Sequence, residues 1–183
     1  MMNPSFAMTL SLAILLIANL LTKLWLSGRQ VCHVAQHRAQ VPTAFAHTIT
    51  LQAHQKAADY TLAKSRVSML NMALDAAMLL GWTLLGGLDL LNQVTLNVMG
   101  IGMAQQVILV VSFALIGGLI GLPLSLYQTF GVEQRFGFNH TTMRLWLSDM
   151  AKGLLVGAVL GLPILWLILW LMDSGGPRWW LYA

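Results

Sequence analysis

Four long apolar runs divide the chain, with polar residues gathered between them: Phe6–Leu26, Val67–Leu91, Val98–Leu122 and Gly153–Met172. Asp75 and Asp89 interrupt the second run, whereas the third lies inside a charge-free stretch from Leu90 to Val132. A helix of about 20 apolar residues crosses a hydrocarbon core about 30 Å thick. The pattern therefore predicts an all-α fold, a polytopic membrane helical bundle with four full spans. After the fourth run, Gly175-Gly176-Pro177 reads as a turn. Arg178-Trp179-Trp180-Leu181-Tyr182 then reads as an interfacial belt opening a fifth span at about residue 178. The expectation is that residues 1–183 form the N-terminal membrane domain of a longer protein.

The gap between the first two runs is expected to be helical. Gln30–Gln40 holds few helix breakers, and Pro42 should end or restart the helix. From Thr43 to Arg66, the apolar Phe45, Ile49 and Leu62 sit among Gln, His and Lys. That spacing predicts a moderately amphipathic segment lying near the membrane surface.

Composition agrees with this pattern: 57% of residues are hydrophobic and 9% charged, against roughly 25% charged in soluble domains. The net charge of +4 is accounted for by basic residues held at a membrane face, so no nucleic-acid partner is expected. Arg38, Lys56, Lys64 and Arg66 in Gln30–Arg66 face a lone Asp59, and Arg135, Arg144 and Lys152 lie in Pro123–Lys152. The positive-inside bias puts residues 30–66 and 123–152 in the cytoplasm. The N-terminus and the short gap Asn92–Asn97 then face outward. The segment before the first run has no Lys or Arg, while Lys23 lies near the end of that run and Arg29 just after it. That polarity marks an uncleaved anchor rather than a signal peptide. The single Cys32 excludes an internal disulfide.

Candidate chemistry is sparse. Asp75 falls about two turns into the second run, where a carboxylate is costly unless it meets a hydrated cavity or a partner. Gln105 and Gln106 are adjacent in the third run and so point about 100° apart. Their amides either join helices or face a polar path. Gly153, Gly157 and Gly161, and likewise Gly117 and Gly121, recur at every fourth position, a spacing that lets helices approach closely. Cys32, His33 and His37 share a short stretch without an acidic neighbour, which favours surface histidines over a metal site. No HExxH, phosphate-binding loop, nucleophile elbow or dinucleotide fingerprint occurs. Neither catalytic nor metal-binding residues are assigned.

The two basic gaps carry a further pattern. The run His54-Gln55-Lys56-Ala57-Ala58-Asp59-Tyr60-Thr61-Leu62-Ala63-Lys64-Ser65-Arg66 resembles a signature of the CAAX prenyl protease 1 family and its bacterial relatives. So does Pro123-Leu124-Ser125-Leu126-Tyr127-Gln128-Thr129-Phe130, continuing through Glu133 to Arg135-Phe136-Gly137-Phe138-Asn139. Val31–Val41, with His33, His37 and Arg38, also resembles bacterial members. The resemblance implies an integral-membrane zinc metalloendopeptidase with helices around a water-filled chamber. The family's zinc is held by an HExxH helix and a downstream Glu, none of which can be placed on this chain, so the chain itself should bind no cofactor. In eukaryotic members the substrate is a prenylated C-terminal peptide; for a bacterial relative the substrate stays open, with membrane-protein quality control as one candidate role.

The implied partners are the lipid bilayer, a C-terminal catalytic domain of the same protein, and a peptide or membrane-protein substrate. The implied location is the bacterial inner membrane. Asp75, Gln105 and Gln106 become candidate chamber-lining residues. Arg135, Phe136, Phe138 and Asn139 become candidate contacts to the catalytic domain. Two other classes remain open from the residues alone: a small transporter or channel fragment with Asp75 and the Gln pair lining its path, and a non-catalytic membrane scaffold joined through its Gly-rich faces.

Overall fold

The computed structural model describes Pro4–Gly175, in which every regular element is helical. The long helices are α1 (Pro4–His37), α2 (Leu51–Thr83), α3 (Gly87–Met99) and α4 (Met103–Leu126). A π-helix, Tyr127–Glu133, continues α4 into the short α5 (Gln134–Phe136), and α6 covers Met143–Gly175. Ala7–His37, Met103–Phe136 and Met143–Gly175 are each long and apolar enough to cross a membrane, and α2 with α3 passes together as a fourth, broken unit. The expected fifth span and its aromatic belt lie outside the described residues.

Several helix boundaries differ from the apolar runs. The run Val67–Leu91 is not one helix: α2 stops at Thr83 and α3 begins at Gly87. Leu84 and Leu85 both donate their N–H to the Leu80 carbonyl, and Gly86 follows at φ +78°. A left-handed residue of this kind stops a helix, and glycine adopts it without a Cβ penalty. The gap Asn92–Asn97, expected to separate the second span from the third, is helical within α3. Its residues are uncharged, and Asn92 and Thr95 find hydrogen-bond partners, so nothing there forces the chain out of the helix. The third run starts late, at Met103, after Gly100 at φ +71° has closed α3. Helix then passes through Pro123 into the π-helix rather than stopping at Leu122.

The surface-lying segment expected over Thr43–Arg66 is replaced by a different arrangement. A 3₁₀ turn spans Thr43–Phe45, and Leu51–Arg66 is the first half of α2 itself. Thr50 caps that helix, its hydroxyl accepting from the Ala53 N–H at 3.3 Å. Between Leu51 and Leu80 there is neither Gly nor Pro, so the change from polar to apolar composition does not interrupt the backbone. The helix expected over Gln30–Gln40 is present as the end of α1, which runs to His37.

Two compact units form. The first comprises residues 1–87 and 120–140. In it α1 packs on α2, and α2 packs on the π-helix. On α1 the half-buried positions Ala13, Leu16, Leu20, Leu24, Ser27, Val31 and Val34 recur at intervals of three and four, the spacing of a helix–helix seam. Ala58, Val67 and Val132 are its buried apolar residues. The second unit comprises residues 88–119 and 141–183. Its buried side chains are polar, Thr95 and Gln105. All of residues 151–164 on α6 are exposed, as a helix bathed in lipid tails would be. No described atom outside the local helix lies within 4 Å of a Cβ built on Gly117, Gly121, Gly153, Gly157 or Gly161. The close approach expected of these glycines is therefore not made by the described residues.

Candidate functional site

The two segments that carry the family pattern meet in the first unit. Tyr60 of α2 takes Phe136 and Phe138 against its ring, with centroids 5.6 and 4.7 Å away. Lys56, one turn earlier on α2, lies over the Phe138 ring at 5.6 Å. Gly137 sits between the two phenylalanines at φ +75°, ending α5. That conformation reverses the chain and lets both rings return to the same tyrosine. Asn139 closes the turn, its side-chain amide donating to Gln134 Oε1 at 3.0 Å. Arg135 and Phe138 are exposed, and Phe136 and Asn139 half-buried.

On another face of α2, Arg38 grips Asp59 with two charge-assisted bonds, Nε to Oδ1 at 2.6 Å and Nη2 to Oδ2 at 2.8 Å. The hydrogen bond from Arg38, with its charge, holds the Asp59 carboxyl below the usual carboxylate range, and Arg135 adds a smaller pull in the same direction. Asp59 in turn raises the Arg38 guanidinium. The His54 ring joins the same junction, its Nε2 lying 3.0 Å from the His37 carbonyl oxygen. The end of α1 is thus tied to the start of α2.

A polar cavity of about 400 Å³ opens between α2 and the α4–π segment. Lys64, Ser68 and Asn71 form one wall, at helical spacing; Ser125, Gln128 and Thr129 form the other. The π-helix widens the turn by one residue at the place where Gln128 and Thr129 face this cavity. Val132 and Tyr127, from the same segment, line a second cavity with Arg66, Val67 and Leu70.

The sequence-derived candidates fall in both units. Asp75 is exposed on α2, accepts from the Asn71 amide at 3.2 Å, and borders a groove of about 180 Å³ shared with Asn19 and Lys23 of α1. Gln105 is 5% exposed; its amide donates to Asn92 Oδ1 and to Thr95 Oγ1, both at 2.9 Å. The Thr95 hydroxyl donates in turn to the Asn92 backbone carbonyl. Gln106 is exposed. His33 and His37 stack their rings at 4.2 Å, and Cys32 is exposed. Among the described residues, no three His, Cys, Asp or Glu side chains are grouped so as to hold a metal ion. The described residues do not fit a zinc centre.

Sequence reasoning missed the lining of the large cavity, the aromatic cluster on Tyr60 and the Arg38–Asp59 pair. The cavity wall had a readable signal in the i, i+4, i+7 spacing of Lys64, Ser68 and Asn71. The other two join residues distant in the chain and had none.

The family model described as the CAAX prenyl protease N-terminal region, with five membrane helices, matches residues 30–183. A CAAX prenyl protease 1 homolog of Oryza sativa subsp. japonica is 30% identical over 161 residues, covering 79% of this chain and 36% of that protein. CAAX prenyl protease 1 of Saccharomyces cerevisiae is 46% identical over 56 residues, 31% of this chain and 12% of that protein. The crystal structure of S. mikatae Ste24p superposes with a TM-score of 0.81 at 25% identity, covering 93% of this chain and 40% of that one. The chain thus spans well under half the length of these relatives. With its apolar helices, this makes it a multi-pass membrane protein, and it belongs to the family of CAAX prenyl protease 1 N-terminal membrane domains.

Proposed function

We propose that the chain is the membrane-embedded N-terminal part of a zinc metalloendopeptidase of the CAAX prenyl protease 1 type, and that its helices form part of the wall of an intramembrane proteolytic chamber. The observation that carries this reading is the likeness to S. mikatae Ste24p over 93% of this chain. Four spans and the start of a fifth, in a bacterial inner membrane, complete the picture. The N-terminus lies outside, and residues 30–66 and 123–152 face the cytoplasm, following the distribution of Lys and Arg. Zinc and the groups that activate water belong to a C-terminal catalytic domain; no catalytic step is assigned to side chains of this chain.

Within that wall Asp75 and Gln106, both exposed, face the hydrated interior, where a carboxylate and an amide at membrane depth are solvated. Gln105 acts inside the wall, holding α3 to α4. Arg135, Phe138 and Asn139 lie on the turn that the catalytic domain contacts, with Phe136 setting that turn on Tyr60. The substrate is a peptide or a membrane protein.

The test is the protein encoded by the complete reading frame. It should carry an HExxH segment, bind one zinc per chain by elemental analysis, and cleave a membrane-anchored peptide only with that zinc in place. A full-length protein with neither the motif nor the metal would refute the reading. In a Cys32→Ser background, Gln55→Cys and Thr141→Cys should be labelled by a membrane-impermeant maleimide only after the cell is opened. Labelling from outside intact cells would overturn the topology.

A further inference from the structure

We infer that the polar cavity between α2 and the π-helix is a binding site for a phosphate group presented at the membrane surface. Its lining is chemically one-sided. Lys64 supplies the only charge, and Ser68, Ser125, Gln128 and Thr129 supply hydroxyl or amide donors; no Asp or Glu lines it. Asn71 turns its amide N–H toward Asp75, which lies a further turn along α2. The ammonium of Lys64 has no ion-pair or hydrogen-bond partner among the described residues and rests 5.7 Å from the Tyr60 ring centroid. Donors without carboxylates, gathered around one cation, select an anion.

The arrangement of donors narrows the anion. They come from two opposed walls, Lys64 and Ser68 on one and Ser125, Gln128 and Thr129 on the other. A tetrahedral phosphate has more oxygens to divide between the two walls than the two of a carboxylate, and so satisfies more of these donors. The cavity volume of about 400 Å³ falls within the roughly 300–1,000 Å³ of small-molecule sites, so a headgroup fits and not only a bare ion. Depth agrees. Lys64 and Arg66 immediately precede the apolar run that begins at Val67, which places the cavity at the level of lipid headgroups. Basic pockets between membrane helices at that level take lipid phosphates. The π-helix completes the second wall, adding Gln128 and Thr129 to Ser125 at the end of α4. Nothing in this lining depends on the peptidase reading.

The test uses the purified chain in dodecyl maltoside, titrated with dihexanoyl phosphatidic acid, inorganic phosphate, dihexanoyl glycerol and decanoate, with binding read by microscale thermophoresis. Phosphatidic acid should bind with saturation, and Lys64→Gln should weaken it by about tenfold or more, the loss of one charge-assisted bond. Gly121→Leu fills the cavity from a position with open space around its Cβ and should also abolish binding, without touching the charge. Lys152→Gln, on exposed α6, should change nothing. Inorganic phosphate competing as well as the lipid supports the site with free phosphate as its source; phosphate failing to compete supports it with a lipid headgroup. Dihexanoyl glycerol or decanoate binding as tightly as phosphatidic acid overturns the proposal. So does no binding at all, or an equal loss from Lys64→Gln and Lys152→Gln.

Discussion

Gln105 and Gln106 are chemically identical neighbours in opposite surroundings, and replacing each by leucine separates a buried, hydrogen-bonded amide from an exposed one. Gln105 is buried and gives both amide protons to α3, to Asn92 Oδ1 and Thr95 Oγ1 at 2.9 Å. A neutral hydrogen bond contributes about 1 kcal/mol net in a folded protein, and helix-joining bonds in a membrane average about 0.6 kcal/mol. Two such bonds give about 1–2 kcal/mol, and leucine roughly conserves the volume, so no large cavity term is added. Gln105→Leu should therefore destabilise the chain by about 1–2 kcal/mol, while Gln106→Leu, at an exposed position, should cost less than about 0.5 kcal/mol. The assay is reversible unfolding in mixed micelles with increasing dodecyl sulfate, followed by circular dichroism. A double-mutant cycle with Thr95→Val should return a coupling of about 0.6 kcal/mol, bounded by the roughly 1.7 kcal/mol maximum for such pairs. Equal costs for the two glutamines, or a coupling of zero, would refute the assignment of Gln105 as the amide that holds α3 to α4.

The remaining predictions concern the first unit and the helix break. The Asp59 carboxyl titrates below its usual range because of Arg38; its contribution to stability is present above the unfolded carboxylate pKa and is lost as pH falls through the depressed folded value. Acid unfolding monitored by circular dichroism should show this limb in the native chain and not in Asp59→Asn. Tyr60→Leu removes two aromatic contacts, each contributing about 0.5–1.5 kcal/mol beyond area. It should loosen the 136–139 turn, read as faster limited proteolysis there, with Tyr60→Phe close to the native protein. Gly86→Ala places a side chain at φ +78° and should cost about 1–2 kcal/mol, whereas Gly28→Ala, inside α1 with open space around it, should stabilise by up to about 1 kcal/mol. The opposite order in detergent melting would mean that the break after Thr83 is not held by Gly86.

How much of this was legible depended on whether the cause was local. Hydropathy is a property of each residue, so the apolar stretches behind α1, α4 and α6 stood out directly. The break at Leu84–Gly86 did not, because Gly86 and Gly87 sit among leucines and a length criterion counts straight through them. Asn92–Asn97 read as a gap between spans because it interrupts the apolar pattern, yet its polarity is what Gln105 needs from across the turn. The π-helix has no residue pattern of its own; it is a change in hydrogen-bond register. Arg38 and Asp59 are 21 residues apart, and nothing in either neighbourhood names the other. Of the site candidates, Asp75 stood out as a carboxylate inside an apolar run, whereas the groove it shares with Asn19 and Lys23 depends on how α1 lies against α2.

These long-range features converge on α2, one helix in two solvents. At about 1.5 Å per residue, its 33 residues extend about 50 Å, well beyond the roughly 30 Å of hydrocarbon. The half before Val67 therefore stands in water or headgroups, and its side chains are divided among neighbours by their angle around the axis. Asp59 and Tyr60 are adjacent and so diverge by about 100°: the first takes Arg38 at the end of α1, the second takes Phe136 and Phe138. Lys64, four residues after Tyr60, returns to nearly the same face and borders the polar cavity. Val67 then closes the row, buried in the same unit as Val132 of the π-helix. A helix engaged on two faces in this way cannot roll without breaking either the ion pair or the aromatic cluster. Its rotation fixes which of its residues past Val67 face lipid and which, like Asp75, face a groove. The polar half of α2, held by Arg38 and by the phenylalanines of the 136–139 turn, thus determines the setting of the apolar half.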